Sequence, residues 1–466
     1  MAKSFSLFFF CFLTLAGFCQ TNALVVDTIF VEGNQRTRSG IIFRELDIKA
    51  GSTIPFTDLN PTLARNELYL LNTRLFNDVE LNIRDWRGDT INIEIIVQET
   101  WYIYPFLIFE LADRNFNVWW VEQNRALNRL NLGMRFYYDN FTGRNDRLKA
   151  VAQFGYTQKF ELEYRLPFFN KGQSLGMAVN GFWSRNREVP YVTNDTTRTL
   201  DFFRTDEGYN QYRARAGLKL FYRPKLFGTH EFGIEYLQNR ITDTVAVLNP
   251  DFFLDGRIRQ DYLSFRYRFT LDRRDRQAYP LKGDFFRVQL KKDGLGVFED
   301  VNGLDAQIVY ARYFKLNKRF SVEALGKIKK NIITEKQPFY RLQRALGFDE
   351  NFIRGYEFYV IDGQDYAYLK TGLRFSLFDS QIKANRFMPI KAFKVMPVRL
   401  YLKLNYDMGF VNDPLAPADL TLVNDLLAGG GLGLDLIIYH NFVFQFEYSI
   451  NRLNEKGLYL HFNVPF

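Results

Sequence analysis

Asp407 and Arg354 are the two residues whose types and positions predict the most specific chemistry, a buried ion pair. Residues 397–409 alternate between apolar and polar types, which predicts a strand with one apolar and one polar face. Asp407 lies on the polar face, where an enclosed carboxylate needs a cationic partner. Arg354 stands beside Gly355, a pairing that suits a tight loop tip whose guanidinium binds a carboxylate through two hydrogen bonds.

No other combination of residues predicts catalysis or a bound cofactor. The glycines between Gly429 and Gly433 are similar in composition to a phosphate loop, but they do not match G-x-G-x-x-G and no helix follows. We interpret them as inward glycines of a strand that leave room for a loop. His230, His440 and His461 have no metal-ligand spacing, and no nucleophile elbow is present. We therefore expect no enzymatic activity, no cofactor and no metal.

The C-terminal hairpin indicates the kind of fold that must position the ion pair. Residues 441–450 and 457–466 alternate apolar and polar side chains, and the chain closes on Phe466. Alternation of lipid-facing and lumen-facing residues is typical of a transmembrane β-barrel. The 48 Phe and 27 Tyr residues suit the aromatic girdles of such a barrel.

The region 101–466 predicts a barrel of antiparallel strands and no convincing helix. An even number of strands places both ends of the chain on one side of the membrane, and a soluble β-sandwich is the alternative. The sixteen predicted strands are 101–111, 130–140, 146–156, 157–167, 174–185, 210–223, 229–239, 259–272, 284–293, 303–315, 319–331, 364–377, 397–409, 428–438, 441–450 and 457–466.

The links between these strands largely alternate in length, as they do in a membrane barrel with short periplasmic turns and long outer loops. Long links are predicted near 112–129, 186–209, 240–258 and 332–363. The link at 378–396 is too long for the short-turn side.

Residues 24–100 predict a separate small α+β domain. Two segments of helical spacing lie between strands, which gives the order βααββ and a sheet covered on one side by two helices. An exposed strand edge could pair with an extended client segment, and a plain structural spacer is the alternative. The predicted strands are 25–31, 75–83 and 91–97, and the predicted helices are 37–46 and 63–71.

Residues 1–23 predict a secretory signal peptide. The apolar run 7–19 is too short to span a membrane as a helix, and it follows a lysine and precedes a polar segment ending at Ala23. Cleavage there would remove both Cys11 and Cys19, and Cys19 leaves a lipoprotein as the alternative. Both interpretations place the mature chain outside the cytoplasm.

The formal charge of +9 is compatible with nucleic acid or an anionic membrane surface as a partner. No basic run supports nucleic acid, which we exclude as a partner. Arg213, Arg215 and Lys219 instead alternate with apolar residues on a predicted strand, which favours positions in a barrel lumen.

Several short motifs, in order along the chain, resemble those of the Omp85 superfamily. Residues 271–275 and 279–283 resemble one of its hairpins, and residues 24–100 resemble a POTRA domain. The motif residues are Gly33 and Asn34 after the first strand, Ile353, Arg354, Gly355 and Tyr356 in the conserved loop, and Asp407 and Gly409 in the barrel wall.

The resemblance implies a 16-stranded transmembrane barrel in a bacterial outer membrane, with one POTRA-like domain in the periplasm. It also implies that the loop folds into the barrel, where Arg354 binds Asp407. The strand after the loop lacks the glutamate that many relatives use as a second partner, so Asp407 holds Arg354 alone or together with Asp365. Phe462, Val464 and Phe466 would belong to the last strand and its C-terminal assembly signal.

The function that the resemblance implies is the insertion or translocation of other proteins. Nascent outer-membrane or secreted proteins would be clients, periplasmic chaperones or accessory lipoproteins would be partners, and outer-membrane lipid would surround the barrel. A seam between the strand 101–111 and the strand 457–466 could open sideways and template client strands. A gated anion-favouring pore, a lipid-handling barrel and an accessory subunit of a larger complex remain alternatives.

Overall fold

The computed structural model describes two units, a small N-terminal domain and a large β-sheet, over most of the chain. The described residues are 23–112, 119, 124–194, 196–298, 301–333, 338, 345–347, 351–383, 395–414, 421–439 and 442–463. The predicted signal peptide therefore lies almost entirely outside the described residues. In the described part of the chain, every helix is too short or too polar to cross a membrane.

The N-terminal domain is a four-stranded sheet covered by two helices, in agreement with the predicted α+β class. The sheet order is β2-β1-β4-β3, with β1 parallel to β4 and the other pairs antiparallel. The short strand β2 was not predicted. The elements are β1 (Ala23–Glu32), α1 (Ser39–Glu45), β2 (Thr53–Pro55), α2 (Leu59–Asn72), β3 (Phe76–Arg87) and β4 (Thr90–Glu99).

The central strand β4 carries the core of this domain. Its alternate residues Ile91, Ile93 and Ile95 are fully buried, and they face buried side chains of both helices. The predicted turn residue Gly33 has φ +87°, and a Cβ there would lie 2.0 Å from the carbonyl oxygen of Val97. Asn34 closes the turn, since its Nδ2 donates to the carbonyl of Thr37 at 2.9 Å.

The rest of the chain forms a sheet of sixteen antiparallel strands in chain order, which confirms the predicted fold class. A two-stranded hairpin (β10 and β11) is inserted in one long link. The strands are β5 (Ile103–Leu111), β6 (Leu130–Asp139), β7 (Arg147–Gly155), β8 (Thr157–Leu166), β9 (Leu175–Asn186), β10 (Glu188–Thr193), β11 (Leu200–Arg204), β12 (Gln211–Tyr222), β13 (Gly228–Ile241), β14 (Arg259–Asp272), β15 (Gly283–Asp293), β16 (Gly303–Lys315), β17 (Phe320–Asn331), β18 (Asp365–Lys383), β19 (Val395–Asn412), β20 (Leu426–Ile438), β21 (Phe442–Asn451) and β22 (Lys456–Asn463).

Three details of the links differ from the prediction. A hairpin (β10–β11) occupies the link at 186–209, and a short helix, α3 (Asp243–Leu248), occupies the link at 240–258. Their small shared core includes Val189, Val245 and Phe253, too few residues to give a clear period in the sequence. The predicted link at 378–396 is partly strand, because β18 continues to Lys383 and β19 begins at Val395.

The two faces of the large sheet differ in the way that alternation predicts. On β19 the outward Leu404 is 54% exposed, whereas the adjacent inward Asn405 is 3% exposed. The same alternation runs from Arg399 to Val411. The sheet thus presents an apolar outer face to lipid and encloses polar side chains.

The N-terminal domain packs against the short turns at one end of the sheet. The Arg36 Nε donates to the carbonyl of Asn140 at 2.8 Å, and Asn72 donates to the carbonyl of Asp275 at 3.1 Å. Glu45 accepts two hydrogen bonds from Arg223, at 2.6 and 2.8 Å. The domain and the short turns therefore share one side of the membrane, as the even strand number requires.

Lysine substitutions at neighbouring positions of β16 test the orientation of the sheet. Ile308 faces outward, whereas Gln307 faces inward and donates to the Tyr366 hydroxyl at 3.2 Å. We expect Ile308→Lys to lower the free energy of unfolding in lipid by about 2–4 kcal/mol, because it places a charge in hydrocarbon. Gln307→Lys should lower it much less. Urea unfolding in lipid vesicles measures both, and equal losses would contradict the assigned faces.

Candidate functional site

The loop between β17 and β18 brings Arg354 into the enclosed space of the sheet. Its Nη1 donates to both oxygens of Asp407, at 2.7 and 2.9 Å, and its backbone N–H donates to the same carboxylate at 3.3 Å. The side chain of Arg354 is 8% exposed and that of Asp407 is 0% exposed. The structure thus brings together the loop arginine and the strand carboxylate on which the sequence analysis focused.

Glu447 on β21 is the second carboxylate at this arginine. Its Oε2 lies 2.9 Å from Arg354 Nε, and its Oε1 accepts a hydrogen bond from Asn405 Nδ2 at 3.0 Å. The suggestion that Asp365 shares Arg354 was wrong, because Asp365 binds Lys330 and the backbone of Asn331. The alternation of residues along β21 is consistent with Glu447 on the inner face. The order of the strands does not show that the loop enters deeply enough for Arg354 to reach it.

Lys370 is a second cation close to these carboxylates. Lys370 on β18 stands directly opposite Asp407 in the strand register, so two cations accompany two carboxylates. Its Nζ lies 3.8 Å from the centre of the Phe352 ring. We call Arg354, Asp407, Glu447 and Lys370 the loop lock. Buried charges are tolerated only when they are paired and hydrogen-bonded, and Arg354, Asp407 and Glu447 meet both conditions.

Glycines make the room that the loop needs. A Cβ at Gly429 on β20 would lie 1.9 Å from the carbonyl oxygen of Arg354, and one at Gly409 would lie 2.8 Å from the Ile353 side chain. Gly355 has φ +85°, and its carbonyl accepts a hydrogen bond from Asn451 Nδ2 at 2.7 Å. The loop backbone therefore rests directly on the inner wall of the sheet.

The neighbours of Arg354 fix the tip through apolar packing. Ile353 and Tyr356 are almost fully buried, and the backbone N–H of Tyr356 donates to the carbonyl of Ile353 at 3.0 Å to close a turn. Both side chains belong to a buried cluster with Val411 and Leu427 from the wall.

A second buried network lies beside the lock and was not predicted. Glu323 binds Lys403 at 2.8 Å and also binds Arg374. The Arg374 guanidinium lies 4.2 Å from the centre of the Tyr279 ring, and Tyr279 donates to Asp435 Oδ2 at 2.7 Å. Tyr279 belongs to the hairpin at 271–283, which enters the enclosed space from the short-turn end. The sequence showed this hairpin only as a resemblance.

The loop also contacts the last strand, β22. Phe352 stacks on His461 with ring centres 4.7 Å apart and planes 13° apart, and Phe358 lies 5.7 Å from the Tyr459 ring. His461 Nε2 is 3.8 Å from Glu357 and 3.6 Å from Glu447. The inner face of β22 therefore packs on the loop. Val464 and Phe466 lie outside the described residues, as does the side chain of Phe462.

The first and last strands form the two ends of the sheet. Among the described residues, β5 pairs with β6 and β22 pairs with β21, and no register joins β5 to β22. Two of the outward side chains at these ends, Leu107 and Leu458, are 84% and 74% exposed, against 54% for Leu404 within the sheet. We call this junction the seam.

The lumen is less cationic than its arginines alone suggest. Four of the basic residues that line it bind carboxylates on other strands, and these pairs are Arg266–Glu235, Arg268–Glu231, Arg399–Asp379 and Lys403–Glu323. The positive lining that motivates an anion-favouring pore is partly neutralised at these positions.

Comparison with protein families shows a match to the Omp85 superfamily domain over residues 140–437, which is more than half of the chain. Comparison with curated protein sequences gives no significant match.

Solved structures share this fold at low sequence identity. BamA from Haemophilus ducreyi lacking POTRA domains 1–3 is 15% identical, with a TM-score of 0.51 over 95% of this chain and 84% of that one. CdiB from Escherichia coli is 12% identical, with a TM-score of 0.56 over 95% and 76%. CdiB from Acinetobacter baumannii is 11% identical, with a TM-score of 0.51 over 95% and 74%.

Removal of the lock arginine should destabilise the sheet strongly. Arg354→Ala leaves Asp407 and Glu447 buried without their cation, so we expect a loss of about 3–5 kcal/mol in the free energy of unfolding. Arg452→Ala is the control, since it removes an ion pair with Asp425 that is nearly half exposed, and it should cost about 0–1 kcal/mol. Urea unfolding in vesicles measures both, and equal small losses would exclude the lock as a stabilising contact.

Methyl groups added at two glycines test whether the loop rests on the wall. Gly429→Ala would place a Cβ against the Arg354 carbonyl and should displace the loop, whereas the Cβ of Gly181→Ala meets nothing within 4 Å. Limited trypsin digestion after Arg354 reports the exposure of the loop. We expect faster cleavage only in the Gly429 variant, and equal rates in both variants would contradict the observed contact.

Proposed function

The chain belongs to the Omp85 superfamily of outer-membrane barrels, and on that premise we propose that it inserts or translocates other proteins. The observation that carries the proposal is the seam, where the two end strands show no shared register among the described residues. The free edge of such a strand offers unpaired backbone N–H and C=O groups to an incoming strand. The proposal involves no chemical step and no cofactor.

Client strands would enter at the seam by pairing with β22 or β5. The apolar outward residues Leu458 and Leu460 on β22 match the lipid-facing face of a client strand. On the inner side, Phe352 and Phe358 of the loop support β22 through His461 and Tyr459. β22 could therefore keep its position while its free edge exchanges partners.

The loop lock would act as a scaffold rather than as a substrate contact. Arg354 and Asp407 are buried, so neither side chain is available to a client at the seam. The lock instead holds the loop, and the loop holds the last strand. Loss of the lock should therefore reduce activity through the position of β22.

The N-terminal domain would receive clients on the periplasmic side. Its sheet ends in the long strand β3, whose outer edge is unpaired among the described residues. Irregular registers near Phe76 and Ile83 interrupt that edge, which limits uncontrolled strand pairing. β4 lies between β1 and β3 and has no free edge. A probe for clients thus belongs on β3, for example at Asn82.

In-cell photocrosslinking tests the proposal. A photoreactive residue at Leu460 on β22 and another at Asn82 on β3 should crosslink to many newly made outer-membrane or secreted proteins. Leu404 is the matched control, because it is an outward leucine of similar exposure on the interior strand β19. It should give few client crosslinks.

The other outcomes separate the alternatives. Crosslinks to one or two fixed partners would indicate an accessory subunit of an outer-membrane complex, and would contradict a general client-handling role. An absence of protein crosslinks at Leu460 and Asn82, together with a steady anion-selective current in planar bilayers, would favour the pore. An absence of both would favour a lipid-handling barrel.

A further inference from the structure

A second enclosed space lies on the other side of the lumen from the loop, where the N-terminal domain meets the short-turn end of the sheet. The cavity has a volume of about 880 Å³, and we call it the vestibule. Helix α2 supplies one wall with Leu68, Tyr69 and Asn72, and strands between β6 and β15 supply the others. Neither the loop lock nor the seam includes any of its residues.

The vestibule carries an excess of positive charge. Ten of its lining residues are arginine or lysine, and six are aspartate or glutamate. Most of these carboxylates already bind a cation, as in the pairs Glu45–Arg223 and Asp272–Arg274. Asp275 is committed to its own turn, where it accepts backbone N–H groups of Leu281 and Lys282. The carboxylates of the walls therefore do not neutralise all of the cations.

Arg165 and Arg287 are the clearest surplus cations. Arg165 lies 4.5 Å from the centre of the Phe221 ring, and Arg287 donates from Nε to the Thr270 hydroxyl at 3.3 Å. Among the described residues, neither guanidinium has a carboxylate within ion-pair distance. Both belong to strands, so their backbone positions are fixed, and both line the cavity.

The wall of the vestibule also places like charges opposite each other. Arg165 on β8 and Arg147 on β7 are direct cross-strand partners in the register. Like charges in this arrangement destabilise a sheet unless an anion lies between or beside them. Arg147 forms an ion pair with Asp139, whereas Arg165 has no carboxylate within ion-pair distance among the described residues.

The N-terminal domain adds a further cation, Arg74, which connects it to the same cluster. Arg74 adopts φ +63°, a left-handed conformation that is uncommon for arginine. Burial, together with the nearby Arg147, lowers the pKa of Arg74 to about 10. Arg74 therefore extends the basic lining of the vestibule to the N-terminal domain.

We propose that the vestibule binds an acidic peptide segment whose carboxylates pair with Arg165 and Arg287. This inference deepens the proposed function and depends on it for the origin of the segment, a part of a client. The cavity is large enough for several residues, and its aromatic walls at Tyr69, Phe168 and Phe227 would contact the apolar side chains of a peptide. A lipid is less suitable, because the cations lie on the inner face of the sheet and lipid contacts the outer face.

Binding of a defined peptide by the purified full-length chain tests the proposal. The chain is placed in lipid nanodiscs, and the probe is a short fluorescein-labelled peptide of alternating valine and aspartate. A second peptide carries asparagine in place of aspartate. Fluorescence anisotropy should show binding of the acidic peptide only, and added salt should weaken it because the contacts are charged.

Substitutions identify the site. Arg165→Gln and Arg287→Gln should each weaken binding of the acidic peptide by about tenfold, the factor for one charge-assisted contact. Arg165→Lys keeps the charge and should keep most of the affinity. Arg215→Gln is the control, because Arg215 faces the lumen from β12 but does not line the vestibule, and its affinity should match the wild type. Heat-modified mobility on gels verifies that each variant is folded.

Three results would overturn the proposal. The first is equal binding of the neutral and acidic peptides, and the second is wild-type affinity in both glutamine variants. The third is that the peptide does not bind, whereas phosphatidylglycerol or inorganic phosphate binds and requires Arg165 and Arg287. The crosslinking experiment is independent of this one. Client crosslinks at Leu460 without peptide binding would contradict only the proposed peptide site in the vestibule. Peptide binding without client crosslinks would contradict only the client-handling role.

Discussion

The charge of an arginine buried inside a membrane barrel has to be neutralised by nearby carboxylates, and much of this structure follows from that constraint. Arg354 reaches two carboxylates, Asp407 and Glu447, on strands that are not adjacent to each other in the sheet. The loop can approach them only because Gly429 presents bare backbone to the Arg354 carbonyl. The position of the loop therefore depends both on the carboxylates of the lumen and on the glycines of β20.

The position of the lock connects this constraint to the seam. Asp407 and Glu447 belong to β19 and β21, close to the end strand β22 in the sheet order. The loop that they hold packs on β22 through Phe352 and Phe358. Among the described residues β22 pairs only with β21, and the loop supports it from inside the barrel. In the proposed function, this support would hold the last strand in place while its other edge accepts a client strand.

Periodicity predicted most of the fold, because a strand with one lipid face and one lumen face must alternate. All sixteen large-sheet strands follow from such patterns, including the face on which Asp407 lies. Short elements with few residues, such as β2 and α3, gave no clear period. Contacts between distant segments could not be predicted from the sequence. The alternation of residues 441–450 is consistent with an inward Glu447, but its contact with Arg354 depends on how deeply the loop enters the barrel. The vestibule could not be predicted either, because it is formed by the packing of the N-terminal domain against the large sheet.

The most direct measurement of the central claim is client insertion by the reconstituted chain. An unfolded outer-membrane barrel is added to vesicles with and without the chain, and its folding is followed by heat-modified mobility. The account predicts faster folding in vesicles that contain the wild-type chain, and a smaller gain when Phe352→Ala removes the support of β22. Equal folding rates with and without the chain would contradict the account.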